Sequence, residues 1–303
     1  NPGGERMSPS SFDPTGDRPD VPAFLDHRRT FEDLTYVYPV VSRRAGGVSI
    51  GVNLNPDKAC NFNCVYCQVD RSVPAPVQRV DLEALAQELQ EVLSAVRSGR
   101  IWEIPRFAAT PLPLRRLNDF AFSGDGEPTT YKRFHEAVSL AAQLRSEHGL
   151  DDVKLVLITD AACLHQPQAI RGLEIMDRSN GEVWGKLDAG TEPFYRQVNR
   201  TAVPFERVLR NLEACAAARP IVIQSLFFRQ HGASPPEDEI QSWLERLSAI
   251  EAAGAIREVH VYTIARTPTE PWCAPLPDAE VDRIVQRTRE ALTCPVKGFY
   301  GPP

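Results

Sequence analysis

Cys60-Asn61-Phe62-Asn63-Cys64-Val65-Tyr66-Cys67 packs three of the chain's seven cysteines into one short stretch, at C-x3-C-x2-C spacing. Thiolates this close form a chelating loop, and the chemistry open to them depends on the metal. A structural zinc takes four ligands, and the nearest other Cys or His, His27 and His135, are far away in sequence. A four-iron cluster ordinarily takes four cysteines, so three leave one iron without a protein ligand. An open coordination position is what a catalytic metal site keeps for its substrate. The plainer alternatives are three buried cysteines or an incomplete zinc knuckle. Free cysteine is common in cores, but three at chelating spacing in a Cys-poor chain are not a packing pattern.

Other residues could share a site with that loop. Phe122-Ser123-Gly124-Asp125-Gly126-Glu127-Pro128-Thr129 has glycines that let a backbone approach a ligand and a carboxylate that accepts from an ammonium group. Taken alone it also reads as a turn. Lys186 and Asp188 lie where a strand meets its loop, and Thr159-Asp160-Ala161 ends another strand facing the same side. Gln224 and Ser225 interrupt an apolar run, where buried polar groups need partners, so one of them is expected to face a cavity. His260 and Arg266 flank the last strand pattern; a lone strand histidine is more often structural. Cys163 and Cys273 follow strand ends and are weak catalytic candidates, as hydrogen-atom donors or guards of the site. Cys215 falls within a helix pattern, and Cys294 carries no assignment.

The elements that must hold these residues alternate. Strand patterns cover residues 48–54, 119–123, 153–159, 182–187, 221–228 and 258–265. Asp81 caps a helix whose apolar positions Leu82, Leu85, Leu89, Val92, Leu93 and Val96 follow the 3.6 period, with Gly99 at its end. Further helices are expected over residues 134–148, 204–218, 237–253 and 278–292. Six strands alternating with helices imply an α/β fold with a parallel sheet, two units short of a closed eight-unit barrel. Ligands of such sheets gather at the carboxyl ends of the strands, and the cysteine loop directly follows the first one. Residues 1–22, rich in Pro, Gly, Ser and Asp, read as a flexible leader, and residues 23–303 as a single domain with N- and C-terminal extensions.

With 303 residues and 42% hydrophobic content, the chain can bury a large core. Its net charge of -6 gives no global basic field for nucleic acid. The basic pairs Arg28-Arg29, Arg43-Arg44 and Arg115-Arg116 are expected to scatter rather than form a track. No apolar run approaches the length of a membrane span, so the expected location is cytoplasmic. Thiols stay reduced there, and clustered cysteines mean metal more often than disulfide.

C-x3-C-x-aromatic-C resembles the cluster motif of the radical S-adenosylmethionine superfamily. The resemblance implies that Cys60, Cys64 and Cys67 hold a [4Fe-4S] cluster whose open iron chelates the amino and carboxylate groups of S-adenosylmethionine, with Tyr66 beside the adenine. Gly124-Asp125-Gly126-Glu127 is similar to the superfamily's Gly-Gly-Glu motif for the methionine amino group, with Asp125 in place of the first glycine, so Gly126 and Glu127 match firmly and Gly124 loosely. Lys186 or Asp188 is implied at the ribose or the methionine carboxylate, and the backbone of Tyr262, Thr263 and Ile264 at the adenine. The implied fold is a partial (β/α)6 TIM-like barrel. The implied reaction is reductive cleavage of S-adenosylmethionine, fed by an electron donor such as flavodoxin or ferredoxin, to a 5'-deoxyadenosyl radical that takes hydrogen from a substrate.

Residues 53–71, with the Gly126-Glu127-Pro128-Thr129, Lys186-Leu187-Asp188-Ala189-Gly190 and Ile264-Ala265-Arg266-Thr267-Pro268 stretches, are also similar to uncharacterised bacterial proteins grouped with the wyosine-tRNA synthases. Those synthases carry a further N-terminal set of cysteines for a second cluster, and no Cys precedes Cys60 here. The expected scatter of the basic pairs and the acidic balance favour a small molecule or peptide as the substrate. The alternatives are tRNA-base modification of the wyosine type and a non-catalytic iron-sulfur or zinc protein.

Overall fold

The computed structural model describes residues 31, 33–42 and 44–301. The expected leader, the pair Arg28-Arg29 and Arg43 lie outside the described residues. In chain order, β1 (Val37–Ser42) and β2 (Gly47–Val52) form a hairpin, followed by α1 (Leu82–Arg97), β3 (Leu117–Phe122), α2 (Phe134–Glu147) and β4 (Lys154–Thr159). Then come α3 (Pro167–Asp177), β5 (Gly181–Lys186), α4 (Glu192–Asn199), α5 (Phe205–Ala218), β6 (Ile221–Leu226), β7 (Phe228–Gln230) and α6 (Glu237–Ala253). The chain continues through β8 (Ile256–Tyr262), β9 (Cys273–Pro275), α7 (Asp278–Ala291) and β10 (Val296–Phe299).

Eight strands make one sheet in the order β1-β2-β3-β4-β5-β6-β8-β10. The six expected strands are its parallel centre, β10 adds a further parallel strand at one edge, and β1 pairs antiparallel with β2 at the other. The sheet curls into a half-barrel, the expected TIM-like partial barrel. Its lumen side carries Ala121, Val156, Trp184 and Val222 as a separate apolar cluster. The outer face packs on the helices: Leu85, Leu89, Val92, Leu93 and Val96 are the buried face of α1, whose N-cap Asp81 accepts from the amides of Glu83 and Ala84 at 2.9 and 3.3 Å.

The structure adds elements to the sequence reading. β1 contains Pro39, which a strand tolerates only at an edge. Its lead-in amides are satisfied from the side, since the Glu88 carboxylate of α1 accepts from Thr35, Tyr36 and Val37 at 2.9, 2.7 and 3.0 Å. The fifth expected strand is shorter than residues 221–228: it ends at Leu226, and Phe228 starts β7, which pairs with β9 in a two-stranded ribbon. Among the described residues, no helix is long and apolar enough to cross a membrane.

Candidate active site

The cysteine loop leaves β2 and crosses the carboxyl ends of the parallel strands, held by backbone from distant elements. The amides of Asn63 and Val65 donate to the carbonyls of Asn199 and Val198 at 3.1 and 2.9 Å, and Thr201 Oγ1 donates to the Asn61 carbonyl at 2.7 Å. On the other side, the amide and hydroxyl of Thr269 both donate to the Cys67 carbonyl at 3.0 Å. Cys60, Cys64 and Cys67 line one cavity of about 350 Å³ together with Tyr66, Gly124, Gly126, Glu127, Lys186, Asp188, Tyr262, Thr263 and Ile264. Every residue expected at the cofactor is thus in one place, at the low end of the usual range for small-molecule sites.

The glycine loop fits only as glycine at two positions. Gly124 has φ +151, and a Cβ there would meet Asn53 Oδ1 at 2.4 Å; a Cβ on Gly126 would meet the Ala59 carbonyl at 2.0 Å. These close approaches press the loop onto the segment that leads into Cys60. Asn53 fastens it, donating to Asp125 Oδ2 at 2.8 Å and accepting from the Asp125 amide at 3.2 Å.

Two side chains at the thiols escaped the sequence reading. Arg71 donates to Cys67 Sγ at 3.2 Å, to the Lys58 carbonyl at 3.0 Å and to the Asp125 carbonyl at 2.9 Å, so one guanidinium ties the cysteine loop to the glycine loop. Asn199, at the end of α4, donates to Cys64 Sγ at 3.4 Å. Arg71 sits four residues after Cys67, a spacing that could have drawn notice; Asn199 has no local signal. Burial, with the Asp160 carboxylate second, pushes the Cys60 thiol up to about 12, and burial pushes Cys64 up to about 11. Both thiols are neutral until something positive takes up their sulfur.

Glu127 and Asp160 form a buried acidic pair on the same wall, 3% and 8% exposed. Glu127 Oε1 accepts from the Thr129 amide at 3.1 Å, from Thr159 Oγ1 at 2.7 Å and from the Thr129 hydroxyl, and Oε2 accepts from the Asp160 amide at 2.8 Å. Asp160 Oδ1 accepts from the Ala162 amide at 2.9 Å, while its Oδ2 is buried without a hydrogen-bond partner. Burial raises both carboxyls, and for Asp160 the charge of Glu127 adds to it. A cavity wall with two buried acids and an orphaned oxygen is a site short of a cation.

Across the cavity Tyr66 donates its hydroxyl to Asp188, which also accepts from the Leu226 amide at 2.8 Å and pairs with Lys186 at 3.4 Å. Lys186 Nζ donates to Tyr262 Oη at 2.8 Å and lies 4.8 Å from the Tyr66 ring centre. Burial pulls the Lys186 amine down, but Asp188 and Tyr262 outweigh it and the net shift is upward, so it stays protonated. The Tyr262 carbonyl accepts from the Phe227 amide at 2.8 Å, and Thr263 Oγ1 accepts from the Leu276 amide at 2.7 Å.

Of the two polar residues on β6, Gln224 lines the cavity, while Ser225 donates to the Leu187 carbonyl at 2.6 Å on the outer face. His260 is bonded to Glu258 and Gln224 and packed edge-on against Trp184 and Phe299, a structural histidine that burial holds below its ordinary value. Arg266 lines the cavity. Cys163 and Cys273 stand outside the cavity lining: Cys163 accepts from Asn61 at 3.8 Å, and Cys273 donates to the Val65 carbonyl at 3.6 Å, an anchor for the cysteine loop. Cys215 is buried on α5 and Cys294 half-buried beyond α7.

The chain is 27% identical over 182 residues to a UPF0026 protein of Helicobacter pylori strain J99, covering 56% of this chain and 50% of that one. It spans half or less of the length of the curated relatives it matches. Its fold is that of SuiB from Streptococcus suis bound to S-adenosylmethionine, with TM-score 0.56 and 12% identity over 82% of this chain and 50% of that one. The fold is equally that of TYW1 with a lysine-pyruvate adduct bound, with TM-score 0.53 and 13% identity over 81% of this chain and 74% of that one. The Radical SAM superfamily model matches residues 54–231, from the lead-in of the cysteine loop through β7, and the chain belongs to that superfamily.

Proposed function

We propose that the chain is an enzyme that binds a [4Fe-4S] cluster on Cys60, Cys64 and Cys67 and S-adenosylmethionine in the adjoining cavity, and uses them to modify a small molecule or peptide. The observation that carries the reading is the meeting of three thiols and the cation-deficient Glu127–Asp160 wall in one cavity. Among the described residues, no group of three or more His, Cys, Asp or Glu side chains is arranged to hold a metal ion. A single zinc needs all its ligands within about 2.3 Å of one centre, whereas a cluster takes each thiolate on a separate iron. Three cysteines fall one ligand short of a structural zinc site, whereas a cluster they held would keep one iron open, so the donor count fits a cluster better than a zinc knuckle.

A cluster held by Cys60, Cys64 and Cys67 would supply the electron for reductive cleavage of S-adenosylmethionine. The chain's own groups do the rest. Arg71 and the Val69 amide donate to Cys67 Sγ at 3.2 and 3.4 Å, and Asn199 donates to Cys64 Sγ, where it works against burial and favours the thiolate. Asp160 Oδ2, with Glu127 behind it, accepts the ammonium of the methionine moiety. The Lys186–Asp188–Tyr66 network offers a cation, a carboxylate and a ring face on the opposite wall, for the methionine carboxylate, the ribose and the adenine.

A wyosine-type reaction is disfavoured by one feature. TYW1 is seen with a lysine-pyruvate adduct, and an amine that forms such an adduct needs a lowered pKa. Among the described residues, the one lysine lining this cavity, Lys186, is ion-paired and raised. The reading is tested by anaerobic reconstitution, which should yield about four iron and four sulfide per chain. Cys64→Ala should abolish the cluster absorbance; stoichiometric zinc without sulfide in anaerobically purified protein contradicts the proposal.

A further inference from the structure

The turn joining β1 to β2 does not stay at the rim of the half-barrel. Ala45 packs among the lumen side chains Ala121, Val156, Trp184 and Val222, and its carbonyl accepts from Asn118. The turn is fixed there by Ser42, whose hydroxyl accepts from the Ala45 amide at 3.1 Å and whose carbonyl accepts from the Gly46 amide at 2.8 Å. Behind it, Glu88 holds the start of β1, and Tyr38 Oη shares a hydrogen bond with Ser123 at 3.0 Å. The result is that Arg44 enters the cavity from the N-terminal hairpin, with its guanidinium carbon 5.0 Å from the centre of the Tyr262 ring.

Among the described residues, Arg44 makes no ion pair; its contact is the face of Tyr262. Of the carboxylates that line the cavity, Asp188 is committed to Lys186 and Tyr66, Glu127 to the threonines and Asp119 to the Ser49 hydroxyl, while Asp160 belongs to the acidic wall beside Glu127. An aromatic face partly compensates a cation, but a guanidinium carries five donors in a fixed fork matched to oxyanions. The acidic wall at Glu127 and Asp160 calls for a cation, so the cavity has two ends of opposite demand.

We propose that Arg44 is the binding site for the oxyanion of a small anionic substrate, a carboxylate or a phosphate, whose body lies in the lumen against Trp184, Val156 and Ile158. The proposal rests on the reading of this cavity as the S-adenosylmethionine site, and it deepens that reading by naming the substrate's charge. Arg44 then fixes which carbon faces the radical source, and a neutral or cationic compound of the same shape is rejected.

The test uses the full chain after anaerobic reconstitution, with succinate and inorganic phosphate as probes, followed by calorimetry and by quenching of tryptophan fluorescence. At least one probe should bind the wild type saturably, and which one binds decides between carboxylate and phosphate. Arg44→Gln should weaken that probe tenfold or more, Arg44→Lys should weaken it less, and both should bind S-adenosylmethionine as the wild type does. Absence of saturable binding of either probe to the wild type overturns the proposal, as does unchanged probe binding in Arg44→Gln. A parallel loss of S-adenosylmethionine affinity also overturns it, because Arg44 would then serve the cofactor's own carboxylate. A wild-type chain that binds a probe through Arg44 but binds no S-adenosylmethionine keeps the arginine site and removes the reading of the cavity, so the two failures are distinguishable.

Discussion

At the scale of single residues, Asp160 stands out on the cavity wall for a buried carboxylate oxygen with no hydrogen-bond partner. Its Oδ2 is buried and unpartnered beside a second buried acid, so the pair is strained until a cation arrives. A charge-assisted hydrogen bond is worth about 1.5 to 3 kcal/mol, or roughly tenfold to a hundredfold in affinity. Asp160→Asn should weaken S-adenosylmethionine by that factor, measured by equilibrium dialysis, without lowering the melting temperature. Glu127→Gln should weaken it too, but with a loss of stability, because its carboxylate accepts from Thr129, Thr159 and the Asp160 amide. An unchanged affinity in both variants would show that the ammonium binds elsewhere. The thiols, Gly126 and Glu127 were legible in sequence because their spacing is local. Asn199, the tie from Arg71 to the Asp125 carbonyl and the orphaned oxygen of Asp160 were not, because the first two need partners 135 and 54 residues away and the last is the lack of one.

At the scale of elements, β3 carries the buried acid Asp119 into the lumen, where burial pushes its carboxyl from 3.8 up to about 7 against the help of the Ser49 hydroxyl. The sign follows from which state binds the proton. Between these pH values the folded chain keeps a proton that the unfolded chain has released, so stability falls as pH rises from about 4 to about 7. The contribution is on the order of 4 kcal/mol. Asp119→Asn should lose that slope, read from urea unfolding of the metal-free protein at pH 5 and pH 7.5; parallel curves for both proteins would refute it. The central strands and α1 were readable because their apolar periods are long and capped. β1 was not, since Pro39 interrupts it and its amides are satisfied by Glu88 from another element. α3 and α4 were missed because each has a proline in its first two positions and presents a short face; in α3 that face includes Gly172, where a Cβ would strike the Phe134 ring at 2.4 Å.

At the scale of the whole molecule, the parallel centre places the cysteine loop, the Glu127–Asp160 wall and the Lys186 network at one mouth, while the added β1 hairpin sends Arg44 into the lumen. The described members of the basic pairs have partners within the chain. Arg44 faces the cavity, Arg115 donates to the carbonyls of Ala108 and Thr110 at 2.8 Å, and Arg116 donates to the Gly46 carbonyl at 3.2 Å. With a net charge of -6, tRNA affinity at physiological salt should stay within the non-specific range of about 10⁻⁴ to 10⁻⁶ M. A filter-binding titration giving a clearly tighter, sequence-selective complex would restore the RNA-modification reading. The parallel sheet was legible from alternation alone, whereas the inward path of the hairpin turn was not, because only the curl of the sheet brings Arg44 to Tyr262. The most direct measurement of the central claim is the product of S-adenosylmethionine turnover by the anaerobically reconstituted chain with a strong reductant. The account predicts 5'-deoxyadenosine and methionine in equal amounts, abolished in Cys64→Ala; a reconstituted, reduced protein that leaves S-adenosylmethionine intact would contradict it.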